Sequence, residues 1–292
     1  MSISAGAQCM QCFLERNMEL AWKLGDEDQA TVLMKALCKL FNEAPAGVSA
    51  PWYAPETAKL LHEIYGLDLD RFKEEKEESN AFVLARMDAI RQSVQTASDP
   101  VYAALQHAIL GNYIDFSALR GEVSFEDLDQ MLHSAHDMDL DKDAYQDFCE
   151  DLKNGKKLLY ITDNAGEIGF DRICAEQLHR QFPHLQITFL VRGGPANNDA
   201  MRSDAEQMGI TFPIIGNGNS IPGTQLDQLS QEAQQAMEEA DVIISKGQGN
   251  VETLWGCGYN IYYAFLVKCP RFIKLFDKPK LTPMLLRERK SK

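Results

Sequence analysis

The sequence predicts an α/β protein: an all-helical N-terminal domain followed by an α/β/α sandwich on a mostly parallel sheet. Three observations predict it. Apolar residues recur at helical spacing through the first 150 residues, short apolar runs capped by polar turns begin after them, and helical stretches separate most of those runs. The 292 residues suit two domains, read as 1–150 and 151–292, and 45% hydrophobic with 25% charged residues is ordinary globular composition.

In the first half, helical spacing runs over residues 12–24 and 30–41, the latter with Val32, Leu33, Ala36, Leu37 and Leu40 on one face. Pro45 and Pro51 mark a loop, Pro55 opens a helix over 56–65, and Gly66 ends it. The charge-dense stretch 70–79 predicts an exposed helix, and further helices follow over 81–95, 101–110 and 125–135. After residue 150, strands are predicted at 156–162, 186–191, 211–215, 241–245 and 260–267. Helices are predicted between them at 171–181, 199–208 and 224–240, with another beginning near Val251. Strands that alternate with helices make βαβ units, and both sheet faces are then covered.

Net charge is −14, and the acidity lies in the first 150 residues. That argues against nucleic acid as a partner. No apolar run is long enough for a membrane span, and residues 1–15 lack the basic and apolar parts of a signal peptide. Seven cysteines, an odd number, fit a reduced cytoplasmic setting. The terminal Arg287-Glu288-Arg289-Lys290-Ser291-Lys292 reads as a solvated end.

Ligands of open parallel sheets bind beyond the C-terminal ends of the strands. The residues there are Asp163, Asn164 and Glu167 after the first run, Arg192 to Asp199 after the second, Gly216 to Ser220 after the third, and Lys246 to Glu252 after the fourth. Asp163, Asn164 and Asp199 offer hard oxygen donors of the kind Mg²⁺ and Mn²⁺ take. Lys246 supplies a point charge for phosphate, with Arg192, Gly247, Gly249 and Asn250 completing a candidate anion site. A divalent metal beside an anion cradle suits phosphate hydrolysis, with Asp163, Asn164, Glu167 and Lys246 as the catalytic set and Glu167 or Asp199 as base. Singly, the Asp163-Asn164 pair reads more often as a turn or helix cap than as a site, and the other motifs have plain structural readings; their convergence on one sheet edge carries the functional reading. No G-x-G-x-x-G or G-x-x-x-x-G-K-[ST] follows a strand, which disfavours dinucleotide and P-loop sites. Cys9-x-x-Cys12 lacks two further zinc ligands nearby and reads as buried thiols on a helix; His133 and His136, three apart, read as a chance pair.

Taken together these segments resemble the DUF89 family, damage-control phosphatases with an ARMT1-like metal-binding domain. The resemblance is carried by Asp163-Asn164-Ala165-Gly166-Glu167 with Asp171, and by Arg192-Gly193-Gly194-Pro195 with Asn198-Asp199-Ala200 and Asp204-Ala205. It is carried also by Lys246-Gly247-Gln248-Gly249-Asn250 with Glu252, by Gly111-Asn112-Tyr113-Ile114-Asp115-Phe116 and by Val267-Lys268-Cys269-Pro270. Cys9-x-x-Cys12 is similar to that of the family's prokaryotic-type branch. The resemblance implies a Rossmann-like domain beneath helices, a divalent metal (Mn²⁺, Ni²⁺, Co²⁺ or Mg²⁺) and hydrolysis of small phosphorylated metabolites such as sugar phosphates. By position it implies Asp163, Asn164 and Asp199 as metal ligands, with Asp204 a weaker claimant to the last place. Lys246 would hold the phosphate, and Asn112 and Asp115 would reach in from the helical side. Met201 departs from the threonine frequent in the family pattern. Two other readings stand beside the phosphatase. One is an S-adenosylmethionine-dependent carboxyl methyltransferase, against which the missing glycine-rich turn counts; the other is a phosphometabolite-binding protein without turnover.

Overall fold

The computed structural model describes residues 3–115 and 124–288; Phe116 and residues 289–292 of the basic tail lie outside them. Three helices, α1 (Ala7–Leu24), α2 (Glu27–Glu43) and α3 (Tyr53–Tyr65), pack around Ala21, Ala30, Leu33, Leu37 and Leu61. Asp26 starts α2 by accepting from the Gln29 amide at 3.0 Å, while the Gln29 side chain bonds back to Asp26.

Next come α4 (Lys73–Leu84), α5 (Met87–Thr96), α6 (Pro100–Gly111), α7 (Phe125–His133) and α8 (Lys142–Asn154). The predicted helix over 81–95 is thus two, broken at Ala85 and Arg86. The region read as an exposed helix forms α4, which buries Lys76, Ser79, Asn80 and Val83; Lys76 pairs with Asp70 at 2.9 Å, which lets the long side chain lie inward. Helix α6 is capped by Asp99, starts with Pro100 and is buried on nearly every side. Helix α8 was not predicted: its apolar residues are few and only Ala144, Phe148 and Leu152 reach the core.

The sheet contains β1 (Lys157–Ile161), β2 (Gln186–Val191), β3 (Ile214–Gly216), β4 (Val242–Lys246), β5 (Ile261–Leu266) and β6 (Pro283–Glu288), in the order β3-β2-β1-β4-β5-β6. All neighbours are parallel except β5 and β6. The crossover helices are α9 (Glu167–Gln181), α10 (Arg202–Gln207), α11 (Gln231–Glu239) and α12 (Gln248–Leu254), with α13 (Pro270–Phe276) before β6. Strand β6 and helix α13 were not predicted. Arg287, read as part of a solvated tail, instead pairs from β6 with Asp147 and Asp151 of α8, each at 2.5 Å.

Alternation along each strand divides the core into two layers. Leu158, Tyr160, Phe189, Ile244 and Tyr262 face one side, together with residues of α4–α9. Leu159, Ile161, Leu190, Ile243 and Tyr263 face the other, with α11, α12 and α13. The first core therefore crosses residue 150 without a break: α4–α8 cover the sheet, and only α1–α3 keep a core of their own.

Candidate functional site

The strand order reverses between β1 and β4, and crevices at such a reversal are where doubly wound sheets bind ligands. Asp163 and Asn164 follow β1 there. The loop after β2 is stitched to them: the Ala200 amide donates to the Asp163 carbonyl at 2.7 Å, and the Ala165 amide to the Asn198 carbonyl at 2.9 Å. Asp199 is thereby held opposite Asn164. Across the crevice Gly247, at φ 76°, lies so close to Asp163 that a Cβ would overlap its carboxylate.

A cavity of about 150 Å³ opens over this crevice. Its acidic and amide lining comes from Asp163, Asn164, Asp199 and Asp115, with Glu252 and Gln248 from α12, and Arg16 and Phe13 of α1 close the far side. Asp163 Oδ2 accepts from Asn112 and Asn164 at 3.0 and 2.8 Å, and Asp199 Oδ2 accepts from Arg192 Nε at 2.7 Å. Among the described residues, nothing donates to the Oδ1 of either aspartate. Asn164 Oδ1 accepts from Asn198 at 2.9 Å. Asp115 Oδ2 accepts from Lys268 at 2.7 Å.

The electrostatics are those of crowded acids. Burial, then Asp199 and Glu167, push the Asp163 carboxyl well above its usual range, against the opposing charge of Lys268. Burial raises Asp199 to about 6, although Arg192 pulls it down. Burial likewise raises Glu252 to about 7, against Arg271. A divalent cation would relieve this repulsion. Among the described residues, no three His, Cys, Asp or Glu side chains stand close enough to share an ion. The set that fits is two carboxylates and one amide, whose oxygen donors suit ions that keep several waters.

Several sequence-predicted residues are placed behind the cavity wall. Lys246 is wholly buried, and its ammonium donates to Glu167 at 2.6 Å, Asp171 at 2.7 Å and the Ala108 carbonyl at 2.8 Å. With three donors occupied and no exposure, it does not line the cavity. Burial pulls its pKa down, but Asp171 and Glu167 outweigh burial and hold it above the ordinary lysine value. Glu167 is equally buried, pairs with Lys246 and accepts from Asn112 and Asn164, so it is not placed as a base.

Asn112 is buried too. Its amide bonds Asp163 and Glu167 and its oxygen accepts from the Leu266 amide, which makes it a positioning residue. Arg192 bonds Asp199, Gly223, Thr162 and Asn250, and Asn250 bonds Thr162 and Lys246; both brace the loops from behind. The Gly247 amide is taken by the Ala264 carbonyl. Of the predicted anion site, only Gly249 lines the cavity. Asp204 accepts from the Met201 amide at 2.8 Å and from Asn80 at 2.9 Å, so it starts α10 and does not join the donors.

Sequence reasoning assigned no role to Arg16, Lys268 or Gln248, and gave Glu252 only as part of a motif. Cys9 and Cys12 are half-buried, not buried, and line a neighbouring cavity with Cys269; Cys9 Sγ accepts from Arg271 at 2.9 Å. His133 and His136 are solvent-exposed on the helical side.

The fold and its cavity are those of a doubly wound small-ligand site fed by a helical cover. Residues 5–281 match the family model for the damage-control phosphatase ARMT1-like domain, and the chain belongs to that family. A damage-control phosphatase of Pyrococcus horikoshii is 31% identical over 282 residues, covering 94% of each chain. A protein of Methanocaldococcus jannaschii, named as uncharacterized, is 30% identical over 92% of this chain and 90% of its own. The crystal structure of a DUF89 family protein from P. horikoshii superposes with a TM-score of 0.83 at 28% identity, over 98% of this chain and 99% of that one.

Proposed function

We propose that this protein is a metal-dependent phosphatase acting on small phosphorylated metabolites, with neither nucleic acid nor membrane as partner. The observation that carries the reading is the set of oxygen donors at the sheet's reversal, Asp163, Asn164 and Asp199, which line one cavity and whose aspartate Oδ1 atoms accept no hydrogen bond among the described residues. These residues would hold the divalent ion, which supplies Lewis-acid polarisation of a phosphoryl oxygen and a more acidic water. The names of the P. horikoshii relative and of the family model support phosphate chemistry. Among the described residues no helix is long and apolar enough to cross a membrane.

Each side chain then has a task. Arg192 fixes Asp199, and Asn112 with Asn164 fixes Asp163, so the donors are preorganised. Arg16 lines the otherwise acidic pocket and opposes repulsion of the substrate, while Lys268, paired with Asp115 behind the lining, tempers the charge on Asp163. Glu252 keeps its proton to about pH 7 and lines the cavity, so it can protonate a departing alkoxide.

Leaving-group chemistry tests this. Glu252→Gln should slow release from a sugar phosphate about 100-fold and change p-nitrophenyl phosphate little, because a nitrophenolate leaves without a proton. Equal losses on both substrates would remove Glu252 as the acid. Release from neither substrate by the wild type, with any divalent metal, would remove the phosphatase reading.

A further inference from the structure

A second cavity, about 300 Å³, adjoins the acidic one; the two share Phe13, Arg16, Ala54 and Asn197 in their walls. Its chemistry is different. Arg16, Lys23 and Arg71 line it, together with Glu19 and Glu75. Arg71 is the unusual member. Arg86, Arg91, Arg172, Arg192 and Arg287 all pair with carboxylates at 3.1 Å or less. Among the described residues Arg71 makes no hydrogen bond and no ion pair; its guanidinium lies 4.8 Å from the Phe72 ring centre. Burial and then the like charge of Arg16 lower its pKa to about 10, with Glu75 opposing. Two guanidiniums that repel each other in a partly buried cavity make a place where an anion is favoured, and the planar fork of Arg71 suits phosphate or carboxylate oxygens.

We propose that this second cavity is an anion subsite, built on Arg71 and Arg16, that takes a second anionic group of the substrate while the first phosphate lies among Asp163, Asn164 and Asp199. The substrate class is then the phosphorylated metabolite with two acidic ends, a bisphosphate or a phosphorylated acid. This choice of substrate rests on the phosphatase reading; the anion site itself does not.

The test has two arms. In the first, chelator-treated protein is titrated with inorganic phosphate by calorimetry, without turnover. The wild type should bind saturably, Arg71→Met about tenfold more weakly, and Arg71→Lys in between. Absence of binding, or equal binding by wild type and Arg71→Met, overturns the subsite. In the second, kcat/KM is compared for a sugar bisphosphate and the matching monophosphate. The wild type should prefer the bisphosphate through KM, and Arg71→Met should collapse that ratio about tenfold. Phosphate binding at Arg71 with no such preference would make the cavity a site for a free anion and overturn the substrate assignment. Failure to hydrolyse either sugar would fall on the phosphatase reading instead, with the calorimetric arm still deciding the site.

Discussion

The buried ammonium of Lys246 sits between Glu167 and Asp171, one helical turn apart on α9, and both side chains are wholly buried. Glu167 in turn accepts from the two amides that hold Asp163, so Lys246 reaches the site only through other residues. Replacing it with methionine would strand two buried carboxylates. Lys246→Met should cost about 3–5 kcal/mol in urea unfolding, and a variant as stable as the wild type would show that the pair is not structural. At this scale the sequence was legible where residue type alone decides: Asp163, Asn164 and Asp199 do line one cavity. It was not legible where depth decides. A lysine at a strand end reads as a phosphate ligand whether its ammonium turns toward the cavity or toward a neighbouring helix. Arg16 of α1 and Arg71 of the segment before α4, 55 positions apart, come to one cavity only in the fold.

At the scale of elements, the site is made by the close approach of two strand-end loops. Gly247 ends β4 with φ 76°, and the space its missing Cβ leaves is filled by the Asp163 carboxylate. Gly247→Ala should therefore displace Asp163 and abolish metal binding while circular dichroism stays native; full metal affinity in that variant would show that the contact is dispensable. The strands were legible because β-branched and aromatic runs sit between polar turns. Predicted β3 began three residues early because Pro213 cannot donate to the ladder, and pairing starts after it. Strand β6 escaped notice because Pro283-Met284-Leu285-Leu286-Arg287-Glu288 lacks alternation and ends in charge, as befits an antiparallel edge.

For the whole molecule, acids held above their ordinary pKa make stability depend on pH and, under the proposed function, on the divalent metal. Asp199 moves from 3.8 to about 6 and Glu252 from 4.5 to about 7 on folding, and Asp163 moves the same way. Their contribution is fully present below the unfolded values and is lost as pH rises through the folded ones. The Tm of chelated protein should carry a downward component between about pH 4 and 7. Divalent metal needs the ionised acids, so its stabilisation should be larger at pH 8 than at pH 5; a metal-induced gain in Tm that is the same at both would contradict this. The acidic helical half, visible in the sequence, gave no warning of the cation-lined cavity, because net charge averages over surfaces that the fold separates.

The most direct test of the proposed function is phosphate release from sugar phosphates by chelator-stripped protein, with each divalent ion returned in turn, for wild type and Asp163→Asn. The account predicts release that returns with metal in the wild type and stays absent in the variant, which should remain folded. Release that is unaffected by chelation, or that survives Asp163→Asn, would contradict it.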